Sequence, residues 1–141
     1  PQIAIFELIF SFLNTLKTRA EDARHAFQVK MLALSGFKPH FDSCVSCSSA
    51  LPREAYFSHK RGGILCSRCL PVDRQAEPIL SGTIATIRYI EKAPWAHCLR
   101  LHMHQTVRHQ LEVLLKGFIQ FHVGRVLKSD KLVREMLDAA V

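Results

Sequence analysis

The sequence lacks any apolar run long enough to cross a membrane. Its most apolar stretch, residues 3–16, is interrupted by Glu7, Ser11 and Asn14, whereas a membrane-spanning helix needs about 20 predominantly apolar residues. No basic segment precedes this stretch, so we do not expect it to be a secretory signal peptide. Internal repeats and low-complexity tracts are also absent. We therefore predict a globular chain with no membrane partner.

Recognisable catalytic motifs are lacking as well. The sequence has no Gly-x-Ser-x-Gly motif, no glycine-rich phosphate-binding loop and no His-Glu-x-x-His motif. Several histidines lie between residues 97 and 109, but His102 and His104 are two residues apart and would point in different directions on a helix. We predict that the chain is not an enzyme, and an enzyme with a structural metal is the less favoured alternative.

Acidic residues are fewer than basic ones. The 141 residues include 19 Lys and Arg against 12 Asp and Glu, a formal net charge of +7. This excess favours polyanionic partners such as nucleic acid or acidic peptides, although a basic surface without such a partner fits it equally well. With 48% hydrophobic residues, the chain can bury the core of one domain. It begins with Pro1 rather than Met, so we expect a fragment of a longer protein.

Apolar residues recur at helical spacing on both sides of a segment that lacks this pattern. Gly36 and Pro39 end the second helical stretch. The helices are predicted at residues 3–16, 23–34, 81–90, 107–119 and 129–137. We therefore predict a mainly α fold, a helical bundle with one insertion. Residues 1–40 form the first part of the helical domain, residues 41–71 a zinc-binding insertion, and residues 72–141 the remainder of the helical domain.

Within the insertion, Tyr56-Phe57 and Ile64-Leu65 predict two short strands. Residues 59–63 join them, and Gly62-Gly63 permits the positive φ angles of a tight hairpin. The insertion is therefore expected to contain a short β-hairpin.

The insertion also carries two cysteine pairs, Cys44-x2-Cys47 and Cys66-x2-Cys69, separated by 18 residues. Without a secretion signal, paired cysteines are more often metal ligands than disulfides. Two residues between cysteines let both sulfurs reach one ion, and two such pairs complete a tetrahedron. Cys98 has no partner at ligand spacing.

These four cysteines predict one structural Zn²⁺, with iron as the competing metal because tetrahedral sulfur ligation suits both. A redox Cys-x-x-Cys role is disfavoured because the βαβ context is absent. Removing the ion should unfold residues 44–71 and leave most of the helices intact, since each helix has its own apolar partners.

Two groups of cations could bind anionic partners. The insertion carries four candidates for nucleic-acid binding: Arg53, Lys60, Arg61 and Arg68. A zinc ion with four thiolates has a charge of −2, so these cations could equally serve to offset it. In the second helix, Arg24 and Lys30 lie beside apolar residues and could accept an acidic peptide with a hydrophobic end. An ordinary solvated helix edge is the alternative.

Three segments carry a distinctive combination of motifs. They are residues 27–39 followed by Cys44-x-x-Cys47, the run Gly62-Gly63-Ile64-Leu65-Cys66-x-x-Cys69, and Gly124-Arg125-Val126-Leu127-Lys128-Ser129. In their order and distances these segments resemble the signatures of the RecO family of bacterial DNA repair proteins. The resemblance extends from Pro1 to about Leu137.

This resemblance implies a recombination mediator that binds and does not catalyse covalent chemistry. RecO proteins act with RecR, and often RecF, to help RecA load onto DNA covered by single-strand-binding protein (SSB), and they anneal complementary strands. The family's helical domain accepts the acidic, hydrophobic-ended C-terminal tail of SSB. We expect this groove near Arg24, Lys30, Arg125 and Lys128. A bacterial cytoplasmic protein associated with the nucleoid is also implied.

The sequence departs from the family's pattern at its beginning. Family members start with an OB-fold barrel and a first helix of the helical domain, and this chain has neither. OB-folds bind and stack single-stranded DNA, so we expect the main DNA site, and the contact with RecR, to be missing. Loss of the first helix would uncover an apolar face and favour self-association. A stand-alone zinc-ribbon module that binds nucleic acid or regulates is the alternative function.

Overall fold

Helices surround a small sheet in the computed structural model of the chain, which describes residues 2–15 and 20–123. The elements are α1 (Gln2–Thr15), α2 (Ala20–Leu34), β1 (Ala55–Ser58), β2 (Gly63–Cys66), a 3₁₀ turn (Ser67–Val72), β3 (Glu77–Ile79), α3 (Ser81–Lys92), α4 (Trp95–Cys98), α5 (Gln105–Phe118) and a π-helical turn (Ile119–Val123). The predicted mainly α fold with an embedded hairpin is confirmed. The helix predicted at residues 129–137 lies outside the described residues. Within the described ranges, every helix is too short or too polar to cross a membrane.

Helices α2, α3 and α5 form the bundle core because each has an apolar stripe at helical spacing. The buried side chains that they share include Ala26, Val29, Leu32, Ile84, Ile87, Ile90, Leu111, Leu114, Leu115 and Phe118. Helix α2 ends where predicted, and Gly36 follows it with a φ of +81°. A residue in this left-handed conformation commonly terminates a helix, and glycine adopts it without steric cost.

The hairpin contributes one of its faces to the same core. Strands β1 and β2 pair antiparallel, with Phe57 opposite Ile64, and both side chains are buried. The Phe57 ring stacks on Phe41 at 5.6 Å between centroids and lies 6.3 Å from the ring of Phe118 on α5. The insertion and the helices therefore share one hydrophobic cluster.

Strand β3 was not predicted, and the sequence explains why. It has three residues and contains Pro78, which lacks the N–H that a central strand needs. It pairs with β1 at the edge of a sheet ordered β2-β1-β3. On α5, Gln110 donates its side-chain N–H to the Pro78 carbonyl. The edge is thus formed by tertiary packing rather than by local strand propensity.

Helix α1 leaves one apolar stripe exposed to solvent. Ile3, Phe6, Phe10 and Leu13, called the α1 strip below, are 75%, 72%, 68% and 54% exposed. The helix packs through its other side, where the Phe12 ring stacks on a ring of α2 at 4.3 Å. Because α1 is apolar nearly all round, packing against α2 covers only part of it. The structure thus contains the uncovered apolar face that was expected.

Candidate metal centre and partner groove

The four paired cysteines converge on one point. Their sulfur atoms all lie within 4.8 Å of one another, and the sulfurs of Cys47 and Cys66 are 3.8 Å apart. A tetrahedron with metal–sulfur bonds of 2.3 Å has edges of about 3.8 Å. The donor set and its dimensions therefore fit a single metal ion. Four sulfur ligands would fill a tetrahedral site and leave no position for a reactive water.

Local backbone turns place each pair of sulfurs. In the first pair, the Ser48 N–H donates to the Cys44 carbonyl and the Cys44 N–H donates to the Ser49 carbonyl, at 2.9 and 3.0 Å. Ser48 adopts a φ of +62° to close this turn. In the second pair, Cys66 ends β2 and Cys69 lies in the 3₁₀ turn that follows. Each pair is thus a compact turn that aims both sulfurs the same way.

Glycine at position 63 lets the two turns meet. The Val45 N–H donates to the Ile64 carbonyl at 2.9 Å, which brings the first turn against β2. A Cβ atom on Gly63 would lie 2.5 Å from Val45 Cγ1 and 2.6 Å from the His40 carbonyl oxygen. Gly62 has the predicted positive φ, +71°, but Gly63 does not. Gly63 is needed for a different reason: any side chain at this position would prevent the close approach of the first cysteine turn to β2.

The thiols of the quartet differ in how readily they lose a proton. Hydrogen bonds from the side chain and backbone of Ser49 lower the pKa of Cys47 to about 6. Interaction with the Cys66 sulfur, followed by desolvation, raises the pKa of Cys69 to about 12. Burial raises the pKa of Cys44, but hydrogen bonds from the N–H groups of neighbouring residues outweigh it, and the net change is downward. Two of the thiols therefore lose a proton more readily than Cys69, and a central cation would offset the repulsion between four thiolates.

The four cations predicted for nucleic-acid binding all lie on the surface of the insertion. Lys60 and Arg61 lie in the turn of the hairpin, while Arg53 and Arg68 flank its other end, near the cysteines. In the part of the chain that the structure describes, none of the four forms an ion pair. Four residues per strand separate the two ends by roughly 10 Å. Two of the four cations thus lie at each end of the hairpin.

A groove between α2 and the end of α5 has an apolar part and a charged part. The apolar part encloses about 290 Å³ and is lined mainly by Phe27, Met31, Leu32, Phe37 and Ile119. The charged part encloses about 230 Å³, and its lining includes Arg24, Glu112 and Lys116. Gln28 and Ile119 line both parts, so the two parts adjoin, and together they are called the groove below.

The structure places the residues predicted for tail binding in different positions. Arg24 lies at the charged part of the groove, where its guanidinium is 3.2 Å from the Glu112 carboxylate. Lys30, in contrast, is half-buried and donates to the Ala93 carbonyl that follows α3, and it does not line the groove. Arg125 and Lys128 lie outside the described residues.

Sequence reasoning missed Lys116 as a groove residue. Lys116 lines the charged part, and in the last turn of α5 it also interacts favourably with the negative end of the helix dipole. Its spacing contained a usable signal, since Lys116 and Ile119 are three residues apart and therefore neighbours on one helix face. Without knowing that α2 packs beside that face, the pair could not be assigned to a groove.

Comparison with known proteins identifies relatives over most of this chain. A family model described as "Recombination protein O C terminal" matches residues 1–131. The protein named DNA repair protein RecO from Alkaliphilus metalliredigens is 30% identical over 125 residues, which cover 86% of this chain and 51% of the relative. Proteins of the same name from Dehalococcoides mccartyi and Myxococcus xanthus are 31% and 30% identical, covering 89% and 92% of this chain and 51% and 52% of the relatives.

The chain spans about half the length of the curated relatives it matches. No solved structure gives a significant match. The family model covers nearly the entire sequence and includes the cysteine quartet and both walls of the groove. The resemblance seen in the sequence is thereby confirmed. The chain belongs to the Recombination protein O (RecO) family of DNA repair proteins and corresponds to its C-terminal region.

Proposed function

We propose that this chain is the partner-docking part of a recombination mediator, and that its groove accepts the acidic, hydrophobic-ended tail of SSB. The observation that carries the proposal is an apolar cavity between α2 and α5 that adjoins a second cavity lined by Arg24 and Lys116. The chain acts by binding and not by catalysis. Supporting RecA loading, strand annealing and contacts with RecR and RecF are proposals for the longer protein, as is a cytoplasmic, nucleoid-associated location.

The chemistry of the groove matches such a tail. A terminal apolar side chain would enter the part lined by Phe27, Met31 and Phe37, which is almost wholly apolar. The terminal carboxylate and the acidic residues before it would face Arg24 and Lys116. Peptides that use an apolar anchor and charged neighbours gain affinity from the first and orientation from the second.

In the metal centre, we propose Zn²⁺ held by Cys44, Cys47, Cys66 and Cys69. Bound zinc would supply a structural cross-link between the two cysteine turns. Iron is the competitor because it also accepts tetrahedral thiolate ligation. Elemental analysis of purified protein distinguishes them, since zinc gives one equivalent without visible colour and a ferric tetrathiolate site absorbs visible light.

Tail binding can be measured by fluorescence anisotropy with a labelled acidic peptide that ends in phenylalanine. Lys116→Glu should weaken binding about tenfold or more, because it removes one attractive charge and adds a repulsive one. Arg61→Glu, an equal charge change in the hairpin turn, is the matched control and should have little effect. A peptide with its terminal carboxylate amidated should also bind weakly. Equal affinity for both peptides and both variants would exclude the groove as the tail site.

The insertion's exposed cations support a second candidate, direct binding of nucleic acid. Lys60 and Arg61 form one exposed basic pair and Arg53 and Arg68 the other. Binding through them should weaken steeply with added salt and fall when either pair is replaced by glutamine. Single-stranded DNA is proposed to bind the longer protein mainly through an OB-fold. Tail binding without measurable DNA affinity at low salt would leave only the first candidate.

A further inference from the structure

The charged part of the groove already contains a carboxylate of its own chain. Glu112 on α5 lies 3.2 Å from the guanidinium of Arg24 on α2, and the two side chains are each 53% exposed. Glu112 precedes Lys116 by one helical turn, so all three charges line the same end of the groove. A carboxylate of a bound peptide would have to meet Arg24 where Glu112 now does.

We propose that Glu112 is an internal competitor that occupies Arg24 and sets the affinity of the groove for anionic peptides. The inference rests on the proposed docking of an acidic tail in this groove. Ligand binding displaces Glu112 from Arg24, and the released carboxylate remains as a repulsive charge beside the peptide. Because both side chains are about half exposed, this exchange needs only rotamer changes and no movement of the helices.

The competition has two consequences for recognition. Arg24, Lys116 and Glu112 together contribute a formal charge of +1, so a singly charged ligand gains little from the rim. A tail with several carboxylates gains more, because it can pair with Lys116 while replacing Glu112 at Arg24. Glu112 therefore makes the groove prefer strongly acidic peptides and lowers its affinity for them. An interhelical ion pair with no role in binding is the alternative explanation of the same contact.

Glu112→Gln separates these explanations because it removes the charge and preserves the shape of the side chain. We expect it to raise affinity for the acidic phenylalanine-ended peptide by about two- to tenfold at low salt. The salt dependence should also steepen, since the rim then has a formal charge of +2. Asp42→Asn is the matched control, because Asp42 forms a comparable exposed pair with Arg88 at 3.5 Å, outside the groove. It should leave peptide affinity unchanged.

A double-mutant cycle with Arg24→Gln tests the proposed mechanism. Arg24 should contribute more to peptide affinity in the Glu112→Gln background than in the wild type, because it no longer has a competing partner. If the wild type binds the peptide and Glu112→Gln leaves or lowers its affinity, the competitor role is overturned while the docking function stands. If neither the wild type nor Glu112→Gln binds the peptide, both are overturned.

Discussion

Replacement of Gly63 by alanine should weaken the metal centre without touching a ligand. The new methyl group would lie 2.5 Å from Val45 and 2.6 Å from the His40 carbonyl oxygen. Both neighbours belong to the segment that carries the first cysteine pair, whereas Gly63 begins the strand that leads to the second. Relief of the clash therefore requires the two halves of the metal centre to move apart.

The expected cost follows from the packing. Forcing one methyl group into a filled site costs about 1–3 kcal/mol, and the upper end applies here because one neighbour is a backbone oxygen. If separation of the cysteine pairs relieves most of this strain, metal affinity falls by up to about 100-fold, at 1.4 kcal/mol per tenfold. When the metal is bound, the substitution should also lower the free energy of unfolding of the whole domain by about 3 kcal/mol.

Gly36→Ala provides the matched control. Gly36 has a φ of +81°, and nothing lies within 4 Å of the position that its Cβ would occupy. Alanine there costs about 1–2 kcal/mol of backbone strain, but its Cβ would contact neither cysteine pair. Competition with a colorimetric chelator measures metal affinity, and urea unfolding measures stability. Equal metal affinity for Gly63→Ala and Gly36→Ala would refute the proposed role of close approach.

Three further outcomes follow from the structure. Chelation of the metal should lower the unfolding temperature of the helices as well as of the insertion, because Phe57 belongs to the shared core. Thermal melts followed by helical circular dichroism test this, and an unchanged helical transition would favour independent units. Desolvation lowers the pKa of His59 below its ordinary 6.5. The neutral His59 side chain therefore contributes fully to the stability of the fold above pH 6.5. This contribution should decline as the pH falls below 6.5, where the unfolded state binds the proton first. Urea midpoints should show less of this decline in His59→Gln, and an identical pH profile would exclude His59 as the cause. Finally, the α1 strip should make the isolated chain dimerise with a second copy, and Phe10→Glu should shift it to monomer in sedimentation experiments. A wild-type chain that stays monomeric at high concentration would contradict this.

The expected independence of the insertion is the prediction that the structure changes most. From the sequence, each helix stripe had apolar partners of its own, so metal loss was expected to leave the helices intact. The structure instead places Phe57 against Phe41 and Phe118, within one cluster. Alternation along a four-residue strand shows which side chains share a face, but it does not show which helix covers that face.

Local chemistry explains what the sequence alone determined. Two cysteines separated by two residues must lie in one turn, and two such pairs at this spacing predict a shared ion wherever the module sits. Helices α2, α3 and α5 follow from apolar periodicity, and the hairpin follows from short apolar runs around Gly62. All these features depend on residues close together in the chain, so no knowledge of long-range packing was required.

Only the tertiary structure decided which side chains meet across elements. The groove exists because α5 lies beside α2, which brings Arg24 to Glu112 and Lys116 while Lys30 turns toward the end of α3. The same packing leaves the α1 strip uncovered. Helical periodicity predicts that a helix has an apolar face. Which element packs on that face depends on how helices far apart in sequence cross and on the order in which they lie. A sequence can therefore reveal a metal site built from local turns, but a binding groove appears only when separate helices are assembled.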